Sequence, residues 1–550
     1  MHSTRTPTRP YPTDNRAPGL GTAPSPCPEP SAARRLRSVR PRLTSRIFAA
    51  ALLALLATGC EQRPAKPKHP NILVISVDTL RPDHMGCYGY RRDTSPRMDR
   101  LAAEGALFKN AISSTSWTLP AHAALFTGLP DSVHGCLDTD NKLADARLTL
   151  AERLKQHGYT TAGFFSGPYL HPVFGLGQGF DNYVDCTSYP DLNNTTAERT
   201  GTVDGRLIWD ASHRDITNPT VYKNVKAWID AGHPAPFFLF IHLWDVHFDF
   251  IPPAPYDTLF DPDYRGSVTG DDFLNNPRIN VNMPKRDLEH LVALYDGEIR
   301  WTDLAIERIL NALDARGLLD DTIIALLADH GTEFFEHGLK AHRQTLYDEV
   351  IRIPLILWYP PKIQAGARIR QQAHITDVLP TVLDLAGFGP TDDCLGKSLV
   401  PALSGETIAR DVPCVSELFC KGGRLTQAGA WAPEDTNFPI THQLRAFREL
   451  GRKRIHDLNR DETLVFNLET DPAEQHPITD PADPTVIATG KDVLRARAWL
   501  ADGMKAFPAP AESADVNDRI RKQLERLGYL PSDTRRAPDS QPTPTSAPAP

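Results

Sequence analysis

The chain has 550 residues, 41% of them hydrophobic and 23% charged, and a formal net charge of −8. That apolar content can fill a large core, and length alone suggests two to four domains. The acidic balance excludes a general basic surface for polyanions, so no nucleic-acid partner is expected.

Residues 1–46 are rich in Pro, Ser, Thr and Arg and show no hydrophobic periodicity. Arg34, Arg35, Arg37, Arg40, Arg42 and Arg46 lead into the uninterrupted apolar run Ile47–Ala57. At about 1.5 Å per helical residue, this run falls short of a hydrocarbon core of roughly 30 Å. A basic stretch followed by a short apolar one reads as an export signal. The next residues, Leu56-Ala57-Thr58-Gly59-Cys60, resemble a bacterial lipobox. That resemblance implies an exported protein held on the periplasmic or extracellular side of a cell or outer membrane by lipidated Cys60. An ordinary cleaved signal with a chance cysteine is the alternative. Residues 1–60 are therefore expected to be a leader and 61–69 a linker. Removing residues 1–59, which carry nine Arg against Asp14 and Glu29, takes the net charge from −8 to −15. An anionic substrate would then need local positive charge, which a bound metal could supply.

From residue 70 onward, short runs rich in β-branched residues alternate with helical patterns. The runs are Asn71–Val77, Thr160–Phe165, Phe237–Ile241, Thr322–Leu327 and Ile353–Trp358, and the helical patterns include Pro96–Glu104, Leu148–His157, Pro284–Asp314 and Asp377–Ala386. Such alternation predicts an α/β fold, a large, mostly parallel sheet flanked by helices. The predicted catalytic domain covers residues 70–410. Beyond about Asp411 the alternation weakens. Lys453–Leu458 and Glu462–Leu468 read as a hairpin and Val493–Lys505 as a terminal helix, a smaller α+β subdomain over 411–530. Residues 531–550 are a Pro/Ser/Thr-rich tail with too little apolar content to fold. Apart from Cys27 and Cys60, six cysteines remain, and no pair has CxxC zinc spacing. Sequence does not give their connectivity; Cys414–Cys420 is a trial pairing.

Ligands of open α/β sheets bind beyond the carboxyl ends of the strands. Asp78 follows NILVISV there, and Asp329 follows TIIALLA, with His330 next. A strand that stops on a carboxylate is often only reaching solvent, but Asp, Asp and His together form a usable metal set. Ser116–Gly128 (SWTLPAHAALFTG) places Thr118 at the start of a helix-like stretch. In isolation Thr118 would be a helix N-cap.

This stretch is similar to the sulfatase signature, Cys or Ser-x-Pro-x-Arg followed by Thr-Gly. Thr118, Pro120, His122 and Thr127-Gly128 fall in register with it. Further blocks follow the family order: SVDTLRPDHMGCYGY (76–90), PFFLFIHLWDVH (236–247), ADHGTEFFEHGLKAH (328–342), VIRIPLILWYP (350–360), ITDVLPTVLDLAG (375–387) and FNLETDPAEQ (466–475). Over about residues 70–480 the chain therefore resembles the sulfatase-like branch of the alkaline-phosphatase superfamily. The resemblance implies that Asp78, Asp329 and His330 hold one divalent metal, with the Thr118 oxygen as a further ligand. It implies that His247 and His342 contact the transferred group or protonate the leaving oxygen. His122 takes the place of the signature Arg and would stabilise added negative charge; His342 takes the place of an active-site Lys. His337 is a weaker candidate on the same loop. A second metal would need another Asp/His/His set, and the spacing of Asp245, His247 and His342 does not match one.

Two departures redirect the expectation. Sulfatases convert the signature Cys or Ser to formylglycine, whereas oxidising threonine would give a ketone, so Thr118 is expected to act unmodified. Sulfatases also usually show Asp-Asp at the first strand and Asp-Asn at the later one, suited to calcium. Here Asp78-Thr79 and Asp329-His330 favour manganese or zinc. The expected activity is metal-dependent hydrolysis, or group transfer, of phosphoric or sulfuric esters through a Thr118 covalent intermediate. The substrate would be an anionic ester: a glycan, a lipid headgroup or a small molecule. Sulfuric-ester hydrolysis without formylglycine and a catalytically silent glycan-binding protein are the alternatives.

Overall fold

The computed structural model describes residues 69–139, 141–187, 216–274, 276–389, 391–420, 442–509 and 512–514. The leader with Cys60, the linker up to residue 68 and the tail 531–550 lie outside the described residues.

Eight strands form the main sheet. They are β1 (Asn71–Val77), β2 (Ala106–Ile112), β3 (Thr160–Phe165), β4 (Asn182–Asp185), β5 (Phe237–Leu243), β6 (Thr322–Ala328), β7 (Arg352–Trp358) and β8 (Ala367–His374). Their order is β8-β2-β7-β6-β1-β5-β3-β4, and β7 alone runs against its neighbours. Every residue of β1, β5 and β6 is buried, so both faces of the centre are covered. That is why their sequences read as unbroken apolar runs instead of alternating ones. The covering helices include α1 (Pro96–Glu104), α2 (Thr118–Thr127), α3 (Leu150–Gln156), α4 (Asn218–Asp230), α5 (Lys285–Asp314) and α6 (Val378–Leu385). The expected mostly parallel sheet flanked by helices is the fold observed.

A second sheet is antiparallel, β9 (Cys414–Cys420), β10 (His442–Glu449), β11 (Arg452–Asp457) and β12 (Glu462–Asn467), in that order. The hairpin read from sequence is β11–β12. The terminal helix α7 starts at Pro484, earlier than expected, because Asp483 caps it through Thr485 N–H and Pro484 suits its first turn. Among the described residues no helix is long and apolar enough to cross a membrane.

The trial pairing Cys414–Cys420 is corrected here. Both residues lie at opposite ends of the same extended strand, and six residues at roughly 3.3 Å each separate their backbones far beyond disulfide reach. Cys414 is buried with a free thiol.

The small sheet braces a loop that follows β6. Lys453 is fully buried, with its ammonium 3.0 Å from Asp348 and 2.8 Å from Glu474. Arg448 reaches the same Asp348 carboxylate at 2.7 Å, and those two cations hold it well below the usual carboxylate range against the upward push of burial. Glu474 in turn accepts from Asp348 N–H at 2.6 Å. Removing one partner of a buried ion cluster costs more than the cluster contributes, because the rest stays buried and uncompensated. Lys453→Met is therefore expected to destabilise the protein by about 3–5 kcal/mol, read from urea unfolding midpoints. A loss under about 1 kcal/mol would place the bracing elsewhere.

Candidate active site

The carboxyl ends of β1 and β6, adjacent in the sheet, deliver Asp78 and Asp329 side by side. Both are buried. Asp329 Oδ1 accepts from its neighbour His330 N–H at 2.8 Å and from Thr79 N–H at 3.2 Å. Thr79 reaches that position with φ of +53°, a left-handed conformation unfavourable for a β-branched residue. Burial pushes the Asp78 carboxyl up to about 6, and burial together with the nearby Asp78 charge raises Asp329.

His330 donates Nδ1–H to the Gly331 carbonyl at 2.8 Å. That bond fixes the tautomer and leaves the Nε2 lone pair facing inward. Nε2 lies 3.4 Å from Asp329 Oδ2 and 3.6 Å from Asp78 Oδ1.

Thr118 is the first residue of α2 and makes no capping bond; Trp117 holds the N-cap position with extended backbone. The ordinary reading of Thr118 as a cap therefore fails. Its hydroxyl points instead at the acids, with Oγ1 3.4 Å from Asp78 Oδ2 and 3.3 Å from His330 Nε2. All ten residues of α2 are buried, so the helix is enclosed on every side. It stops at Gly128, φ +67°, where an added Cβ would come within 2.8 Å of the Cys394 Cβ.

One turn on, His122 lies inside the fold, wholly buried. Its Nδ1–H donates to the Thr118 carbonyl at 2.8 Å and its Nε2 accepts from Ser76 Oγ at 3.0 Å. Burial and the neighbouring His242 ring push it down to about 3, so the ring is neutral and has no nitrogen to offer a substrate.

His247 and His342 approach from two other segments. Their ring centroids are 5.1 Å apart, and His342 is 4.6 Å from the His330 ring. Burial and the rings of His330 and His247 hold His342 well below the usual imidazole range. Its Nδ1 is buried and without a hydrogen bond, while His247 Nδ1–H donates to Phe248 O at 2.7 Å. Beside them Arg343 stacks its guanidinium 4.2 Å over the Trp117 ring and pairs with Asp138 at 2.6 Å.

The structure gathers Asp78, Thr118, Asp329, His330, His247 and His342, and sets His337 apart. Its Nδ1 meets Glu349 and its Nε2 the Glu474 carbonyl, so both nitrogens are spent on the bracing described above. Asp245 is likewise committed, accepting from Thr217 and Asn218 N–H at the start of α4 and from Trp301 Nε1–H. It contributes no second metal set with His247 and His342.

Sequence reasoning missed His242, the one imidazole within β5. It is wholly buried, with Nε2 3.5 Å from Asp78 Oδ2. The available signal was a basic-capable side chain inside FFLFIHL, a run otherwise apolar and buried throughout.

The residues fit a divalent cation. Asp78 Oδ1, Asp329 Oδ2 and His242 Nε2 are buried polar atoms with no hydrogen-bond partner. Such atoms are costly unless an ion or proton compensates them. Asp78, Asp329 and His330 offer ligand atoms within 4.8 Å of one another, as do His122, His242 and Asp329.

Comparison with known proteins finds a matching family and matching folds. A family profile described as Sulfatase matches residues 70–388. The "Ulvan-active sulfatase" of Formosa agariphila is 27% identical over 353 residues, covering 61% of this chain and 65% of that protein. The structure of a 2-O GAG sulfatase superposes with a TM-score of 0.61 at 21% identity, over 82% of this chain and 96% of the other. A phosphonate monoester hydrolase of Agrobacterium radiobacter gives a TM-score of 0.61 at 22% identity, over 78% and 96%.

Proposed function

The chain belongs to the sulfatase family, and from that premise we propose that it is a metal-dependent ester hydrolase or group transferase acting through unmodified Thr118, with phosphoric esters preferred to sulfuric ones. The observation that carries this reading is the Thr118 hydroxyl, which caps nothing and faces Asp78 and His330.

Asp78, Asp329 and His330 would hold the ion, and Thr118 Oγ1 lies against the same atoms. When bound, such an ion supplies positive charge that polarises the ester and favours an ionised Thr118. Manganese or zinc suits a set containing imidazole better than calcium does. Thr118 Oγ1 attacks phosphorus or sulfur in line, and its bond to that atom forms as the bond to the leaving oxygen breaks. His342 or His247 delivers a proton to the departing alcohol once the negative charge of the bound ester raises the imidazole's proton affinity, for His342 against the downward push of burial. Water, or an acceptor alcohol, then cleaves the ester on Thr118. His122 supports the site from beneath, fixing the first turn of α2 through the Thr118 carbonyl.

Replacing His342 or His247 by Ala is expected to lower kcat by about 10²–10⁴-fold for alkyl esters. Aryl esters, whose leaving groups need little protonation, should lose much less. An equal loss on both would move the acid role to another group.

The candidate substrates are sulfated polysaccharides, a choice supported by the names of relatives, together with lipid headgroups and small anionic esters. The same reading puts the protein outside the cytoplasm, tethered through lipidated Cys60. Mass spectrometry of the mature N-terminus should find Cys60 as its first residue carrying acyl chains, and a mature N-terminus without acyl chains would refute the anchor.

The test of the activity is metal content measured alongside hydrolysis of aryl sulfate, aryl phosphate and bis-aryl phosphate. Turnover of aryl sulfate alone would overturn the phosphorus preference. No metal and no turnover would leave a binding protein.

A further inference from the structure

Thr79 comes two residues after β1, beside Asp78, and is wholly buried. Each of its three polar groups holds a different part of the molecule. Its N–H donates to Asp329 Oδ1 at 3.2 Å. Its carbonyl accepts from the Tyr295 hydroxyl of α5 at 2.8 Å, and that hydroxyl oxygen accepts from Arg81 N–H at 2.9 Å. Tyr295 thus clamps the turn in which Thr79 keeps its left-handed backbone. The Thr79 hydroxyl donates to the Val246 carbonyl at 3.0 Å.

The last of these bonds crosses to the segment after β5 that carries His247. The Val246 carbonyl lies in one rigid peptide plane with the His247 N–H and Cα, so fixing that oxygen fixes the root of the His247 side chain. The opposite edge of the plane is held too, because His247 N–H donates to the Trp244 carbonyl at 2.8 Å. From the ring side, Nδ1–H donates to Phe248 O at 2.7 Å. Val246 is wholly buried, so losing the threonine hydroxyl would leave its carbonyl short of a donor.

We infer that Thr79 is a positioning residue for leaving-group protonation, tying His247 to the carboxylates of Asp78 and Asp329. The inference rests on the proposed activity, with His247 as the proton donor. In that step the Nε2 proton of the His247 imidazolium passes to the leaving oxygen as the bond from that oxygen to phosphorus breaks. The bonding pair stays on oxygen and the ring returns to neutral. Alkyl leaving groups need that proton and aryl ones need it little, and a misplacement of about 1 Å can cost about 100-fold in rate.

Thr79→Val removes the hydroxyl while keeping the size and both backbone bonds. It should lower kcat on ethyl phosphate by about 10–100-fold and on para-nitrophenyl phosphate by much less. Thr79→Ser, which keeps the hydroxyl, should retain most of the ethyl phosphate rate. Added to His247→Ala, Thr79→Val should cost nothing further on ethyl phosphate, because both act through one imidazole. Thr79→Ala, without the β-branch that a left-handed backbone disfavours, serves the same comparison where Thr79→Val does not fold. No loss, equal losses on the two esters, a Thr79→Ser protein as slow as Thr79→Val, or a loss that adds in full to that of His247→Ala would each overturn the inference alone. Equal losses on the two esters in His247→Ala would remove His247 as the donor. No turnover of either ester by the wild type would overturn the proposed phosphoric-ester activity, and either result takes this inference with it.

Discussion

Thr118→Ala is expected to lose turnover by about 10⁶-fold, the scale on which a hydrolase fails when its nucleophile is removed, while its stability changes by less than about 1 kcal/mol. The two halves of that expectation come from one observation. A threonine that capped α2 would cost about 0.5–2 kcal/mol on truncation and leave chemistry untouched. Thr118 makes no such bond and spends its hydroxyl on Asp78 and His330. Thermal or urea unfolding, run beside initial rates on an aryl phosphate, separates the roles. Thr118→Ser keeps an attacking oxygen and should retain measurable turnover. Activity of Thr118→Ala within tenfold of wild type, or a stability loss with rates unchanged, would return the residue to a structural role.

Much of the fold is legible in the sequence because the central strands are buried on both faces. Asn71–Val77 and Thr160–Phe165 are observed with the boundaries that the apolar runs predict. The outer strands were harder to read for the same physical reason reversed. β8 (ARIRQQAH) is an edge strand with Arg368 and Arg370 exposed, and β2 carries Lys109 and Asn110 mid-strand. Neither makes a continuous apolar run.

The site divides in a similar way. Asp78 and Asp329 could be located from strand ends alone. Thr118 could not, since its partners lie 40 and 212 residues away and only the sheet brings them together. His242 escaped for the opposite reason. Its own strand is so apolar that the histidine passes as core, until the structure shows an unpartnered nitrogen aimed at Asp78.

A sulfuric ester is expected to stall this protein after one turnover per chain. In formylglycine sulfatases the aldehyde hydrate offers two hydroxyls: one carries the sulfate, and the other expels it by elimination, with no attack at sulfur. Thr118 has a single oxygen, and once that is sulfated there is no second hydroxyl on the same carbon. Release would then require water at sulfur. A phosphorylated Thr118 keeps an exit of its own through in-line attack of water or an acceptor alcohol at phosphorus. With an aryl sulfate, phenol release should show a burst of one equivalent and then a steady rate at least about 10³-fold below that for the phosphate, a difference of about 4 kcal/mol in barrier. Mass spectrometry of the stalled protein should find the added group on the peptide bearing Thr118. A burst of that kind would trace selectivity between two nearly isosteric oxyanions to one missing hydroxyl, independently of how tightly either is bound. Sustained sulfate turnover at a rate comparable to phosphate, with no modified peptide, would mean that the fold supplies another route off Thr118 and would remove the ground for preferring phosphorus.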